Sequence, residues 1–542
     1  MNTKENRTVR GQNASKEASV GKKAEAARLE NKSIRAEAAS VNSDGKTPKK
    51  PLTKKALILI ISASVLILAG VIALAAYLLS DVPPTREVFR FGDYKYVILE
   101  DGTVEIAEYV GTQTEIELPF AIEGRSVSSI GESAFIDTDV VKIKLGGFTK
   151  RVGDMAFYAC EKLESFDGGD SLEYIGNQAF SDCTVLETVT LPETLTYIGD
   201  YAFKHAAVTG ITLPLGVTEL GEGVFFGCEK LSLANLQHLE KIGKWAFYKT
   251  ALKTLTLDSV KKIGKEAFSE ASALEEITLG EKLTELGEFA FFGSPCVKSV
   301  EVSAQNEKYA VMNGALIDIE NEELLYVPPL YAEAVLQVPF FVKTVSDSAF
   351  EGSTSVSEVI LPEGLEKIGT RAFFGAVGIF RINVPESVTE IGGVAFYGTQ
   401  WYENLTNEFT LVGDSILIKY TPQREDGQLV ETEYAEVLYG ESEIPIGVSL
   451  TLPSGIKRIS SAFAYANDLI SVSFPEGRIV LEDGAFYRCG FLRSVDMSAA
   501  EITLGANTFE YCQSLTSVSL PRNLTEIPAY TFRGCAALTE LT

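Results

Sequence analysis

Apolar residues recur along most of this chain as one repeated phrase, which reads L-x-x-[IV]-x-L-P-x-x-L-x-x-I-G-x-x-A-F-x-x-C. Leu186-Glu-Thr-Val-Thr-Leu-Pro192, Leu195, Tyr197-Ile-Gly199 and Ala202-Phe203 show it, and Leu515 to Phe532 repeats it. The phenylalanine of the phrase falls at Phe135, Phe157, Phe180, Phe203, Phe225, Phe247, Phe268, Phe291, Phe350, Phe373, Phe396, Phe463, Phe486, Phe509 and Phe532. Eleven of the twelve short steps are 22 or 23 residues and one is 21, while steps of 59 and 67 mark insertions. A period of that length means one supersecondary unit stacked on the next. Leu186, Val189 and Leu191 predict a short strand with one face inward. Pro192, which has no N–H to give a ladder, ends it. Leu195 and Ile198 predict a second short extended piece, and Ala202, Phe203 and the position three beyond have the spacing of one or two helical turns. No unit can bury its own phenylalanine, so stability comes from neighbours. The expected fold is an α/β repeat, rich in β, a solenoid of about 15 coils of 22–23 residues.

These motifs resemble the BspA-type leucine-rich repeat family, whose coil carries the same L-P, I-G, A-F and C positions. The resemblance runs from about Phe89 to Thr542. It includes Tyr94 to Ala107, similar to that family's amino-terminal cap, and Gly314-Ala-Leu-Ile317 and Gly413-Asp-Ser-Ile-Leu-Ile418, similar to its hairpin inserts. Val224, Thr508 and Thr531 replace the alanine before the phenylalanine, and several coils lack the cysteine. The resemblance implies a right-handed leucine-rich repeat solenoid and bacterial surface proteins that bind other proteins or host and microbial surfaces. It carries no catalytic residues. The expected organisation is a tail over 1–55, a membrane helix over 56–80, a cap over 83–125, arrays over 126–300, 342–400 and 456–542, and inserts over 301–341 and 401–455.

Residues 56–80 contain no charge, and about 20 apolar residues suffice to cross a bilayer. Lys49, Lys50, Lys54 and Lys55 precede the run, while Asp81 and Glu87 with only Arg86 follow it. By the positive-inside rule the amino terminus is cytoplasmic and the solenoid extracellular. The competing reading is a cleaved signal peptide at Ala73-Leu-Ala75; the length of the run and the 55 residues before it favour an anchor. Of 48 basic and 74 acidic residues, the first 55 positions hold 14 and 6, a net of +8, which leaves 34 and 68, a net of −34, beyond the membrane run. The tail has too few large apolar residues to fold and suits contact with anionic lipid. The acidic remainder excludes nucleic acid, which needs clustered Lys and Arg.

Cys160, Cys183, Cys228, Cys489, Cys512 and Cys535 each lie three residues after a coil phenylalanine; only Cys296 is out of phase. A ladder position is buried, where free Cys acts as a small hydrophobe. Stacking at about 4.8 Å lies within the reach of a disulfide, so bridging of Cys160 to Cys183, or among Cys489, Cys512 and Cys535, stays open, although the odd count and parallel side-chain directions count against it. His205 and His238 are the two histidines, and neither has metal-ligand spacing. No nucleophile elbow, phosphate loop or zinc motif occurs, and Glu275-Glu276 reads as an exposed coil face. The chain is expected to be no enzyme and to need no cofactor or metal.

What remains is surface. Lys144, Thr190, Thr212, Asn235, Thr256, Thr278 and Glu301 occupy the outward position that closes each strand of the first array. That polar ladder has plain β propensity, and extended solenoid sheets also serve as docking faces. Tyr158, Phe226, Tyr248, Phe292, Phe374, Tyr397 and Tyr487 directly follow a coil phenylalanine, a series read as aromatic stacking within the array, with exposed contact for a partner as the alternative. Within the inserts, Tyr309, Tyr326, Tyr331, Trp401, Tyr402, Tyr420, Tyr434 and Tyr439 fall out of register, and insertions often map to a binding face. Thr190, Thr212, Asn235, Thr256, Thr278, Trp401, Tyr402 and Tyr420 are therefore the candidate binding residues. Asn404-Leu-Thr406 and Asn523-Leu-Thr525 match the short glycosylation pattern, which decides nothing alone. Leu538 to Thr542 stops inside a strand, which leaves two expectations open: a truncated product, or a bare edge used in self-association. The expected function is adhesion or binding of a surface macromolecule, protein or glycan, by a solenoid on one membrane helix. The alternative is a structural spacer of the envelope.

Overall fold

The computed structural model describes residues 87–421 and 448–542. The expected tail over 1–55, the expected membrane helix over 56–80 and the middle of the insert over 401–455 lie outside the described residues. Among the described residues no helix is long and apolar enough to cross a membrane. Arg86–Thr542 forms one compact unit.

Each coil contributes two short strands and a turn lobe. Thr188–Thr190 pairs in parallel with Ser165–Asp167, with Val189 opposite Phe166. Tyr197–Ile198 pairs in parallel with Tyr174–Ile175, with Ile198 opposite Ile175. Each residue thus faces its own equivalent one coil away, which is why a single apolar phrase fills the whole core. The solenoid makes about 18 turns, more than the 15 that phenylalanine marks, because the hairpin inserts and the first and last strands add turns that carry no such residue.

The helical reading of the A-F-x-x-C stretch is corrected. Among the described residues the one α-helix is Gln400–Glu403, outside the lobes. Two positions in a lobe take left-handed backbone: Gln178 (φ 54°) and Asp182 (φ 63°) flank Phe180, and Tyr201 (φ 56°) and His205 (φ 58°) flank Phe203. These reversals break the helical ladder and aim alternate amides at the next coil. The N–H groups of Gln178, Phe180 and Asp182 donate to the carbonyls of Asp200, Ala202 and Lys204 at 2.8, 2.7 and 2.8 Å. Those of Ser181 and Cys183 bond back three residues, to Gln178 and Phe180. Tandem turns therefore satisfy the same i, i+3 spacing as a helix, and the repeat is built of strands and turns.

The glycine of the I-G pair is required by how closely coils approach. A Cβ on Gly199 would sit 2.5 Å from the Asn177 amide nitrogen and 2.6 Å from the Gly176 carbonyl carbon. The residue after that glycine adds a side-chain ladder: Asp154, Asn177 and Asp200 accept from the amides of Asn177, Asp200 and Glu222 at 3.0, 2.8 and 2.8 Å.

The phenylalanine rings stack through the core, from Phe157 to Phe180 at 5.1 Å, Phe180 to Phe203 at 5.2 Å and Phe203 to Phe225 at 5.5 Å. At the amino-terminal end, Phe89–Phe91, Tyr94–Ile98 and Val104–Tyr109 form an antiparallel meander, and the last of these strands pairs in parallel with Arg125–Ile130. Tyr109 lays its ring on Phe135 at 5.1 Å.

The apolar interior divides into three clusters, and the inserts are the partitions. In the strand Ala315–Asp318, Leu316 packs into the first cluster while Ala315 and Ile317 pack into the second. In Ile416–Tyr420, Ile416 and Ile418 face the second cluster while Leu417 and Tyr420 face the third. A strand buried on both faces reads as a continuous apolar run, which is the origin of Ala-Leu-Ile and Ile-Leu-Ile in these segments.

Candidate binding surface

The outward ladder of the first array is distributed over three separate sheets. Strands Glu115–Glu117, Lys142–Lys144, Ser165–Asp167 and Thr188–Thr190 form one, Gly210–Ile211 and Leu233–Ala234 another, and Thr254–Leu257, Glu276–Leu279 and Ser299–Val302 a third. Thr190 and Thr212 are exposed at the ends of the breaks. Thr256 and Thr278 are half-buried and stand directly opposite one another. Asn235 is committed to the fold: its side-chain oxygen accepts from the Leu213 amide at 2.7 Å and its nitrogen donates to the Leu213 carbonyl at 2.9 Å. Asn383 does the same to Leu361 and Asn523 to Ile502. The amide of Asn523 is thereby engaged at both ends, whereas Asn404 caps the short helix and is exposed.

Charged residues on the coils close on one another. Lys142 meets Glu115 at 2.8 Å, Lys241 meets Glu219 at 3.5 Å, Lys261 meets Glu240 at 2.7 Å and Lys367 meets Glu390 at 2.6 Å. All these side chains are well exposed, so each pair is worth only about 0–1 kcal/mol.

The insert aromatics named as binding candidates act as rungs of the ring ladder. Tyr420 is 8% exposed and lies 5.2 Å from Phe463. Trp401 sets its edge on Phe396 at 5.0 Å, and the Tyr402 hydroxyl donates to the Ile418 carbonyl at 3.2 Å. Tyr326 lies 5.9 Å from Phe291. Out of register in sequence, these residues are in register in space.

Two members of the aromatic series that follows the coil phenylalanine, Phe226 and Tyr248, join Tyr201 and Trp245, which sequence reasoning passed over, in a different surface. On the lobes of the first array, Tyr201, Phe226, Trp245 and Tyr248 line a shallow concavity of about 520 Å³ together with His205 and Gln178. Phe226 stacks on Tyr248 at 4.7 Å and meets Trp245 edge-on at 6.2 Å. Their polar tips are tied to the next coil: Tyr201 donates to Glu222, Trp245 Nε1 to Glu266 at 2.9 Å and Tyr248 to Glu270 at 2.6 Å. Burial and the neighbouring Glu222 push the Tyr201 hydroxyl well above its ordinary pKa, so it stays a donor. His205 Nδ1 lies 2.8 Å from Asp182. Tyr201 and Trp245 occupy the left-handed position two before the phenylalanine, where the backbone turns the side chain outward; an aromatic at that position is the signal that marks the ledge.

The seven cysteines are free thiols. Six share one bond: Cys160, Cys183, Cys228, Cys489, Cys512 and Cys535 donate to the carbonyls of Phe135, Phe157, Phe203, Phe463, Phe486 and Phe509 at 2.9–3.1 Å. Burial pushes the Cys228 thiol far up, so it stays protonated. Among the described residues no group of three or more His, Cys, Asp or Glu is placed to hold a metal ion.

Comparison with known proteins bears on this architecture. No curated protein matches the chain. Among solved structures it is similar to a leucine rich cell surface protein from Faecalibacterium prausnitzii A2-165, at 21% identity and a TM-score of 0.47, covering 85% of this chain and 95% of that one. It is also similar to a leucine-rich repeat protein from Bacteroides ovatus ATCC 8483, at 21% identity and a TM-score of 0.43, covering 84% and 100%. The pneumococcal vaccine antigen PcpA follows at 17% identity and a TM-score of 0.38, covering 80% and 94%. The BspA type leucine rich repeat region matches residues 105–232, 198–311, 335–417 and 447–542. With its L-P, I-G and A-F positions matched across most of its length, the chain belongs to the BspA-type leucine-rich repeat family.

Proposed function

We propose that this protein is a membrane-anchored, extracellular binding module that recognises a macromolecule at the cell surface through its solenoid. The observation that carries the reading is the aromatic ledge. Half-exposed rings of Tyr201, Phe226, Trp245 and Tyr248 stand side by side with their polar tips fixed by carboxylates, and rigid aromatic groups of this kind dominate interface cores. The uncharged run over 56–80, with lysines before it and an acidic solenoid after it, supports the anchored, outward-facing topology. A spacer without a specific ligand is the second reading, and the ion pairs that close coil upon coil favour it, since they engage lysines of the surface within the solenoid itself.

The test is a pull-down with residues 86–542 against envelope and host extracts, beside a Trp245→Ala, Tyr248→Ala variant. Enrichment of one partner by the parent and its loss in the variant supports the binding module. No enrichment by either supports the spacer. Protease added to intact cells tests the topology: the solenoid is digested and residues 1–55 are spared, and cleavage of the tail from outside sinks the orientation.

A further inference from the structure

Lobe amides normally have a partner waiting one coil on. Glu266, Phe268 and Glu270 donate to the carbonyls of Glu288, Ala290 and Phe292 at 3.0, 2.8 and 2.7 Å, and every earlier lobe from Ser133 onward repeats this three-bond row. The row stops at the first insert. After Glu323–Tyr326 the chain passes through Val327-Pro-Pro-Leu330 to its next strand and builds no lobe. The amides of Phe289, Phe291 and Gly293, which hold the three donor positions, find no acceptor among the described residues. Across the gap, the Ala349 carbonyl accepts from Val327 at 2.8 Å, while the carbonyls of Asp347 and Glu351, which hold the acceptor positions that Glu288 and Phe292 fill in the preceding lobe, receive no donor among the described residues.

The missing rung leaves a concavity of about 810 Å³. That is within the range of pockets that enclose a ligand. One wall carries Phe289 and Phe292, half-exposed rings set edge to face at 5.8 Å; Ser348 and Glu351 stand on the other, and Tyr326 and Pro329 lie between. The carboxylates of Glu288, Glu323 and Asp347 line it, against Lys308 and Lys367. The Tyr326 hydroxyl and the nearby Ser353 hydroxyl are buried without a partner, the two side-chain casualties of the same absent lobe.

The second insert shows how the chain itself fills such a gap. There the Val394 amide donates to the Ser461 hydroxyl, the Gly398 amide reaches Glu403 at 3.4 Å, and the helix Gln400–Glu403 places the Trp401 ring over Phe396 at 5.0 Å. The second junction is plugged in part, by a short segment with an aromatic anchor that leaves the Phe396 amide without an acceptor among the described residues, and the first is open.

We propose that the notch at the first insert is a peptide-binding slot, which takes a short, non-helical segment of a partner protein as an extra rung: its carbonyls accept from Phe289, Phe291 and Gly293, an aromatic side chain packs on Phe289 and Phe292, and a basic flank meets the carboxylates. Adding backbone to an open ladder is an established way for folded domains to bind peptides, with main-chain bonds giving affinity and side-chain pockets giving specificity. The inference deepens the binding-module reading and rests on it.

The test is a random heptapeptide library on phage, selected on the full-length chain. Enriched peptides are then titrated by fluorescence anisotropy against the parent, Phe292→Ala and Ser348→Trp. Trp245 already occupies the position equivalent to Ser348 with φ 58°, so the larger side chain is compatible with the backbone and fills the notch from its far wall. Expected are peptides that carry one aromatic and at least one basic residue, that bind both variants roughly tenfold or more weakly, and that slow hydrogen exchange over 289–293 without changing it over 266–270. Peptides that bind parent and variants equally, or that protect the aromatic ledge instead, overturn the slot and leave the binding-module reading standing. A library that yields no enriched peptide overturns the slot as well, and the pull-down with residues 86–542 then decides separately whether the chain binds anything.

Discussion

The thiol of Cys183 donates to the main-chain carbonyl of Phe157, one coil earlier, at 3.1 Å. Ser294 makes the same bond to Phe268 at 3.3 Å, whereas Thr250 turns back to its own Phe247 at 3.0 Å. The position thus selects small donors able to give the Phe157 carbonyl a second bond, beside the one it accepts from the Cys160 amide at 3.2 Å. Replacing Cys183 by Ala removes one of that carbonyl's two donors, the Cys160 amide at 3.2 Å remaining, and is expected to cost about 0.5–1.5 kcal/mol, while Cys183→Ser keeps a donor and loses clearly less. Denaturant titration of the two variants checks the order. Equal losses would mean that the thiol only fills space.

Phe203 is fully buried between Phe180 and Phe225. Truncating it to Ala removes a rung from both interfaces, with an expected cost of about 3–5 kcal/mol. Because coils are stabilised by their neighbours, loss of hydrogen-exchange protection should spread to the coils on either side. A change below about 1 kcal/mol would contradict the burial of this ring.

Gly199 gives an opposite sign to the usual rule. Ala for Gly at an unstrained position stabilises by about 0.4–1 kcal/mol through the unfolded chain. At Gly199 the new Cβ would lie 2.5 Å from the Asn177 amide nitrogen, so Gly199→Ala has to push two coils apart and is expected to lower the melting temperature. Gly352 has nothing within 4 Å of such a Cβ, but its φ of 73° still disfavours alanine, so it serves as a control for backbone strain without the clash. An unchanged melting temperature for Gly199→Ala would remove close approach as the reason for the glycine.

The strands were legible because their cause is periodic: Leu186 and Ile198 point inward in every coil, and the phenylalanine ladder needs one residue per turn. The lobes were misread because Ala202, Phe203 and Ala206 have the i, i+3 spacing of a helix, and single-sequence spacing does not distinguish a helix from tandem turns. What decides is the pair of left-handed residues, which here are Tyr201 and His205, and Tyr has no preference for that backbone that would have marked it. Trp401 and Tyr420 looked free because the insertions interrupt the count. In space each insertion re-enters the ladder, so an aromatic out of register in sequence becomes a rung. The open notch at Phe289 left no trace in composition, since it is made by a lobe that is missing.

Alkaline pH should weaken the fold. Burial pushes the Cys535 thiol up from 9.0 to about 12. Burial, with the charges of Tyr109 and Asp93, pushes the Tyr94 hydroxyl from 10.0 to about 12. For acids raised in the folded state, the native protein holds its proton longer than the unfolded chain. Their contribution is therefore complete below the ordinary values and is lost as pH rises towards the folded ones. Thermal melts followed by circular dichroism should be flat with respect to these groups up to about pH 9 and should fall between about pH 9 and 12. A melting temperature independent of pH across that window would show that neither group is shielded.

The strand Ile416–Tyr420 gives the sharpest test of the partition role, because adjacent residues serve different cores. Ile418 is buried in the second apolar cluster and Leu417 in the third. Truncation of either to Ala removes a fully packed side chain at an expected cost of about 2–5 kcal/mol, but the damage should fall on opposite sides. Hydrogen exchange followed by mass spectrometry is expected to show Ile418→Ala loosening the coils of Phe373 and Phe396, and Leu417→Ala loosening those of Phe463 and Phe486. A loop that merely tolerated insertion would give small effects from both, and a single continuous core would give the same pattern from both. Opposite patterns from neighbouring residues follow only if the hairpin strand stands as a wall with one array packed on each face.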